Sequence, residues 1–235
     1  MKIGIMQPYF FPYIGYWQLI NAVDKYVIYD DVNYIKGGWI NRNRILINDK
    51  TSIINLRMNG ASPNKLIKEV QVSSDNQWKK KLLKTIEQSY KKAPYFEKNF
   101  QIIEEIINYD EVNLSPYLEN SINKIAEYLD IKTEIILSSN IIKDNSLKGQ
   151  DKIIEICKNL EVTEYYNAIG GVELYSTRDF EANEIKLKFV ETKSIKYKQF
   201  NNEFVSNLSI IDVMMFNSKE EIRKILGMYS IVESK

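Results

Sequence analysis

The chain reads as an α/β domain with a parallel sheet and a helical insert, and three observations predict this. A strand, a loop, a helix and a second strand fit within about the first thirty residues, the spacing of a βαβ unit and hence of parallel strands. From Asp75 to about Leu129 the apolar pattern is helical. Strands and helices then alternate again to the end. The expected organisation is a core domain formed by 1–74 and 131–235, with the helical insert at 75–130.

Lys2 to Met6 is a short apolar run ended by Gln7 and Pro8, the pattern of a buried strand. The loop Gln7–Ile14 follows, and a helix opens near Gly15. Tyr26–Tyr29 is the second strand, closed by Asp30-Asp31. Ile45–Ile47 and Ile53–Leu56 flank Asn48-Asp49-Lys50, a hairpin signal, and Lys65–Val72 reads as one more strand. Three helices are expected at Asn76–Lys91, Phe96–Ile107 and Ser115–Leu129. Ser115 is suited to cap the last, with Pro116 at its first position. Glu134–Leu137, Thr163–Asn167 and Ile185–Val190 read as strands. Gln150–Leu160, Ile210–Phe216 and Lys219–Leu226 read as helices.

The 235 residues suit one large domain, or a main domain with a small helical addition. An apolar share of 44% argues against disorder. Thirty-two basic against thirty-one acidic residues leave a formal charge of +1, so no global field favours nucleic acid. The run Lys79-Lys80-Lys81 reads as the wet side of a helix. Zero histidines remove every Ser-His-Asp and Cys-His mechanism and every imidazole zinc site. The single cysteine, Cys157, excludes an internal disulfide and, in the apolar stripe of IIEICKNL, reads as core. Any metal site would therefore be a carboxylate Mg²⁺ site. The aromatic N-terminus superficially resembles a signal peptide. Pro8 and Pro12 interrupt it, and no small-residue cleavage site follows. No run of 18 apolar residues exists to form a transmembrane segment. A soluble, cytoplasmic protein is the expectation.

The first candidate site is the loop Gln7-Pro8-Tyr9-Phe10-Phe11-Pro12-Tyr13-Ile14-Gly15-Tyr16. A loop leaving the carboxyl end of the first parallel strand is the default ligand site of such a sheet. Two prolines stiffen it before any ligand arrives, and Gly15 lets a phosphate approach the helix start. The plain alternative is that the aromatic residues only cover the sheet edge. A second constellation is Asp30-Asp31 followed by Lys36, Trp39, Asn41, Arg42, Asn43 and Arg44. The two carboxylates could hold Mg²⁺ or pair with an ammonium. Arg42 and Arg44 alternate, so on a strand they point the same way and can grip a phosphate or carboxylate, while Asn41 and Asn43 face oppositely. Tyr34 and Trp39 suit stacking against a sugar, although scattered surface charge is the bland reading. Lys65, in the loop after Gly60, can reach an anion. Gly170, Gly171 and Tyr175 leave another strand and could approach the same crevice. Tyr197 and Gln199 are either a binding edge or simply exposed. No Gly-x-Gly-x-x-Gly or Walker motif occurs.

The turn xPxxxPYxGY between a strand and a helix resembles the Pro-Phe-His-x-Gly-His signature of nucleotidylyltransferases and adenylate-forming enzymes. Tyr13 and Tyr16 then stand where that superfamily has its two phosphate-contacting histidines. Tyrosine donates one hydrogen bond but supplies no positive charge, so the likeness supports a shared fold more than a shared chemistry. It implies a Rossmann-like sheet of the nucleotidylyltransferase type. Over nearly the whole chain, the words IMQPYFFPYIGYWQLI, DKYVIYDDVNYIKGGWINRNRI, NGASPNKLI and FVSNLSIIDVMMFN resemble the WbqC-like protein family. That resemblance implies a setting in O-antigen or surface-polysaccharide assembly. It also implies transfer of an acyl or aminoacyl group, such as glycine, to an amino sugar carried by a nucleotide.

On this reading ATP with Mg²⁺ activates the carboxylate as an acyl-adenylate, or a thioester or charged tRNA brings it already activated. Tyr13, Tyr16, Asp30, Asp31 and Arg42 would be catalytic. Gln7, Tyr9, Gly15, Lys36, Trp39, Asn41, Asn43, Arg44, Lys65, Gly170, Gly171 and Tyr175 would bind substrate. Without histidine, the base is a carboxylate, a tyrosinate or water. The partners are the sugar nucleotide and the acyl donor, no nucleic acid, with a homodimer left open. The alternative is a non-catalytic sugar-nucleotide or glycan-binding protein on the same fold.

Overall fold

A computed structural model of the chain describes residues 1–48, 50–200 and 203–233. Its centre is a sheet whose first strand, β1 (Lys2–Met6), lies in the middle. β2 (Lys25–Ile28) pairs parallel with one edge of β1, bringing Ile3 opposite Lys25 and Met6 opposite Ile28. On the other edge Gly4 meets Tyr166 of a strand that comes 162 residues later in the chain. The direction of strand addition thus reverses at β1, and the crevice outside the carboxyl ends of such strands is where open α/β sheets take ligands. Helix α1 (Ile14–Asn21) packs on β1 closely because Gly4 has no side chain. A Cβ there would lie 3.1 Å from the Tyr26 ring and 3.4 Å from Leu19.

After β2 the chain leaves the sheet. β3 (Arg42–Ile47) and β4 (Lys50–Asn55) form the expected antiparallel hairpin, from Arg42 opposite Asn55 to Ile47 opposite Lys50. Asn48 takes the left-handed conformation, φ 49°, that a two-residue turn asks of its first residue; Asp49 lies outside the described residues. The strand expected over Lys65–Val72 shrinks to β6 (Gln71–Val72), paired with β5 (Met58–Asn59). Glu69 accepts the Leu66 N–H at 2.8 Å and Val70 N–H bonds back to Ile67, which winds Ile67–Glu69 into a 3₁₀ turn.

Three helices follow: α2 (Gln77–Tyr90), α3 (Phe96–Asn108) and α4 (Leu114–Leu129). One apolar cluster runs from their Leu82, Ile103 and Ile122 to Trp17 of α1 and on to Ile210 and Met214 near the end of the chain. The wholly buried Asn99 donates to Met214 O at 2.6 Å. The chain then rejoins the sheet through β7 (Glu134–Leu137), parallel to β2. Helix α5 (Gly149–Asn159) leads to β8 (Glu164–Ala168) beside β1, and α6 (Thr177–Glu181) leads to β9 (Lys186–Thr192). Helices α7 (Ile210–Phe216) and α8 (Lys219–Leu226) precede β10 (Tyr229–Glu233), antiparallel to β9. The order β10-β9-β8-β1-β2-β7, parallel except at β10 and flanked by helices, makes the fold Rossmann-like. The terminal strand escapes the sequence reading because its five residues, YSIVE, are short and do not alternate apolar with polar. Among the described residues no helix is long and apolar enough to cross a membrane.

Just past β2, Asp30 and Asp31 tie four segments together. Asp30 accepts from Ser115 Oγ at 2.8 Å, Ser139 N at 2.9 Å and Ser139 Oγ at 2.7 Å. Ser115 therefore does not cap α4, which starts a residue earlier behind Asn113; its hydroxyl reaches back to β2 instead. Asp31 meets Lys143 Nζ at 2.7 Å, Lys152 Nζ at 3.2 Å and Ser138 Oγ at 2.8 Å. All three charged side chains are no more than 5% exposed. Burial by itself would raise the Asp31 carboxyl, yet Lys143, Ser138 and Lys152 outweigh it and hold the group below the usual carboxylate range.

Replacing Asp31 by Asn leaves two buried ammonium groups with one neutral partner. Unfolding in urea is expected to show a loss of about 3–5 kcal/mol. A carboxyl whose folded pKa is depressed stabilises the fold above its unfolded value, near 3.9, and that stability vanishes as pH falls through the folded value. The fall in wild-type stability on acidification below about pH 4 is therefore expected to be shallower in Asp31→Asn.

Candidate functional site

The loop that leaves β1 is shaped by where its aromatic side chains go. Phe10 and Phe11 are wholly buried, while Tyr9 and Tyr13 on either side remain partly open. Turning two consecutive side chains inward places Phe11 at φ 44°, a left-handed conformation that costs a non-glycine residue about 1–2 kcal/mol. Hydrogen bonds offset that cost. Asn43 Nδ2, from β3, donates to Phe10 O at 3.1 Å and to Phe11 O at 2.8 Å. Ser209 Oγ donates to Phe11 O at 2.8 Å. Pro12 O accepts from Trp17 Nε1 and from Ile210 N, both at 3.0 Å. The other half of the Asn43 amide accepts from Arg44 N at 2.8 Å, so this one side chain joins the hairpin to the loop.

Around that joint lies a cavity of about 280 Å³, lined by Tyr9, Tyr13, Trp39, Asn43, Arg44 and Asn207. The aromatic turn and the arginine-bearing strand thus converge on one space. Arg44 donates to Asn207 O at 3.1 Å, and its guanidinium stands 5.3 Å from the centre of the Trp39 ring. Its Nε is buried without a protein partner. No carboxylate pairs with it among the described residues. An arginine in that state is set to accept an anion from outside. Burial raises the phenol pKa of Tyr13, and burial together with Tyr13 raises that of Tyr9. Both hydroxyls therefore keep their protons at neutral pH and act as donors, not as tyrosinate bases.

The other residues singled out from the sequence take different places. Tyr16 is wholly buried against Tyr9, Trp17 and Tyr26, and its hydroxyl donates to Gln7 O at 3.1 Å. It is a core residue: Tyr13 precedes α1 in extended backbone and its ring stays at the cavity, whereas Tyr16, inside α1, packs onto the sheet against Tyr26. Gly15 is needed for the Tyr13 ring: a Cβ there would lie 2.5 Å from that ring and 2.8 Å from Thr192 Oγ1. Arg42 keeps the expected direction, 5.6 Å from Trp39, but donates to the carbonyls of Gly37 and Gly38 and stays off the cavity lining. Asn41 braces the hairpin, accepting from Tyr34 OH at 2.7 Å and donating to Leu56 O at 3.2 Å. Lys36 and Lys65 are exposed and do not line the cavity.

Gly170, Gly171 and Tyr175 follow β8, where the Tyr175 hydroxyl joins Tyr165 at 3.0 Å and Asn167 at 2.9 Å in the apolar cluster that also holds Ile3 and Ile5. Asp30 and Asp31 are committed to internal partners, so they do not fit a Mg²⁺ ion or a substrate ammonium. Among the described residues no group of three carboxylates or thiolates is placed to hold a metal.

Three residues of the site were not marked in the sequence as chemical: Asn207, Ser209 and Asp212. Asp212 is wholly buried and accepts from Tyr197 OH at 2.6 Å, Gln199 Nε2 at 2.7 Å and Tyr90 OH at 2.9 Å. The Tyr90 hydroxyl in turn accepts Leu46 N at 3.0 Å. Burial pushes the Asp212 carboxyl up, against those three donors. All three residues lie in the word FVSNLSIIDVMMFN, whose polar letters inside an apolar run were the available signal.

A Rossmann-like sheet with a braced aromatic loop beside an arginine-lined cavity makes this an α/β protein with a candidate ligand site at the carboxyl end of its first strand. The sequence model of the WbqC-like protein family matches residues 7–224, from that loop to α8, and the chain belongs to this family. It is 28% identical over 221 residues to the uncharacterized protein Rv1507c of Mycobacterium tuberculosis, covering 92% of this chain and 93% of that protein. No solved structure matches the chain.

Asn43→Ala strands the Phe10 carbonyl, removes one of two donors to Phe11 O and leaves Arg44 N–H unpaired. Thermal or urea unfolding is expected to show a loss of about 2–4 kcal/mol, from about 1–3 kcal/mol per buried unsatisfied group partly relieved by water. Tyr13→Phe, which removes a hydroxyl with no hydrogen-bond partner among the described residues, is expected to change stability by less than about 0.5 kcal/mol.

Proposed function

We propose that the cavity binds a nucleotide-linked amino sugar and that the chain transfers an acyl or aminoacyl group to the sugar amine, in the cytoplasm, for surface-polysaccharide assembly. The observation that carries the binding half is Arg44. Its unpartnered Nε and its lack of a carboxylate neighbour leave a positive charge at the mouth of an aromatic cavity. A sugar face stacks on Trp39, Tyr9 or Tyr13, and its anionic substituent reaches the guanidinium. The transfer half rests on the family's likeness to proteins of O-antigen clusters.

In the transfer, Arg44 neutralises negative charge developing on the phosphate or the acyl oxygen, and the Tyr13 hydroxyl donates to the same oxygen. Asp30 and Asp31 are held in internal bonds, so the attacking amine loses its proton to water. Whether the donor arrives as an acyl-adenylate made from ATP, a thioester or a charged tRNA is read from the products. Release of AMP and pyrophosphate marks the first.

A second reading is favoured by one observation. No carboxylate lines the cavity and both its phenols stay protonated, which suits a sugar-nucleotide-binding protein without a reaction of its own.

The test incubates the protein with ATP, Mg²⁺, candidate amino acids and a nucleotide-linked amino sugar, followed by mass spectrometry. A product heavier by one aminoacyl residue is expected. In parallel calorimetry, Arg44→Ala is expected to weaken sugar-nucleotide binding roughly 10- to 100-fold, the worth of one charge-assisted contact. Binding without turnover of any donor selects the second reading. Full affinity in a folded Arg44→Ala variant overturns both.

A further inference from the structure

Beside the Arg44 cavity lies a second one, of about 430 Å³, and the two share Asn207. Its polar lining comes from Lys193, Ser194, Lys196, Tyr197, Ser206 and Asn207, a segment between β9 and α7. We infer that this second lobe holds the phosphate chain of a diphosphate-bearing ligand whose sugar occupies the first. The inference rests on the binding half of the function proposed above and adds the subsite and the chemical class it selects.

Charge supports it first. Across both lobes the lining contains Arg44, Lys193 and Lys196 and no Asp or Glu. Neither lysine lies within ion-pair distance of a carboxylate among the described residues. Glu191 and Glu203 are near in sequence but do not line the lobe. The closest acid by connectivity is Asp212, which lies behind Tyr197 and is covered by three donors. Three cations without a counter-charge around two cavities that adjoin at Asn207 suit a group carrying two or more negative charges.

The wall is also built in advance. Lys193 N–H is fixed to Met228 O at 2.9 Å, and the Tyr197 hydroxyl is fixed to Asp212. The buried Gln199 amide closes the segment on itself, donating to Val205 O at 3.0 Å and accepting Val205 N at 2.8 Å. Asn207 then turns through a left-handed conformation, φ 56°, and offers its carbonyl to Arg44. The lysines are thus carried on a braced segment, and the serine hydroxyls beside them have no hydrogen bond within the protein's described contacts. Binding there needs little further ordering of the backbone.

The experiment uses the whole chain with three probes in calorimetry: inorganic pyrophosphate, a nucleotide-diphosphate amino sugar, and free glucosamine. Pyrophosphate is expected to bind and to displace the nucleotide-linked sugar, with an affinity that falls as salt rises. The double variant Lys193→Ala/Lys196→Ala changes only exposed side chains and is expected to keep its melting temperature. It should weaken pyrophosphate about tenfold or more while leaving any glucosamine binding unchanged. Pyrophosphate affinity equal to wild type in that folded variant, or no competition between the two ligands, overturns the second lobe as the phosphate subsite. If the sugar nucleotide still depends on Arg44, the function proposed above stands without it. If no probe binds wild type and Arg44→Ala changes nothing, that function falls as well.

Discussion

The site depends on one amide. Asn43 reaches out of its strand to hold two successive carbonyls of the loop after β1, and it holds its own neighbour's N–H with the remaining oxygen. Without that clamp a loop of two prolines and four aromatic residues would have little reason to keep Phe11 in a left-handed conformation. With it, Phe10 and Phe11 are committed to the core and Tyr9 and Tyr13 are committed to the cavity. Ser209 completes the joint from the other end of the chain, accepting Ile211 N–H at the start of α7 while donating to Phe11 O. Three distant segments therefore meet at two peptide units, and the cavity is the space left beside them.

A similar economy of polar groups governs the carboxyl end of the neighbouring strand β2. Asp30 and Asp31 form the most conspicuous acidic pair near a strand end, and in sequence they read as ligands for a metal or an ammonium. Their partners, Ser115, Ser138, Ser139, Lys143 and Lys152, come from regions up to 121 residues away. Adjacent carboxylates at the end of a parallel strand are as well suited to anchoring crossovers as to chemistry. Whether such a pair faces a crevice or the protein is decided by what packs on it. Buried ion pairs of this kind contribute little net energy compared with apolar replacements, but they penalise any arrangement that separates the charges. Here they fix where α4 and α5 begin and where β7 ends relative to β2.

Asp212 plays the corresponding part behind the cavity. Its three donors come from α2 and from the segment before α7, so the helices of the 75–130 region are connected to the wall that carries Lys193 and Lys196. The same carboxylate thus supports β3, through Tyr90 and Leu46, and the phosphate-facing segment. It is buried, accepts three donors and does not itself line either cavity.

Much of this was legible from local pattern. The βαβ opening, the 42–55 hairpin, the three helices and the later strands follow from periodicity and turn residues, because those signals are set by neighbours within a few positions. Alternation along β3 separated Arg42 and Arg44 from Asn43, and the proline-bounded aromatic loop, marked in the sequence as a candidate site, lines a cavity with Arg44. Tertiary structure decided the rest. It made Tyr16 core and Tyr13 lining, although both stand in one motif. It left Arg44 without a carboxylate partner among the described residues while Gly37 and Gly38 took Arg42, and it brought Asn207 and Ser209 to the site from the opposite end of the chain. Local sequence determines which way a side chain leaves its own backbone; which partner stands there to meet it depends on segments more than 150 residues away.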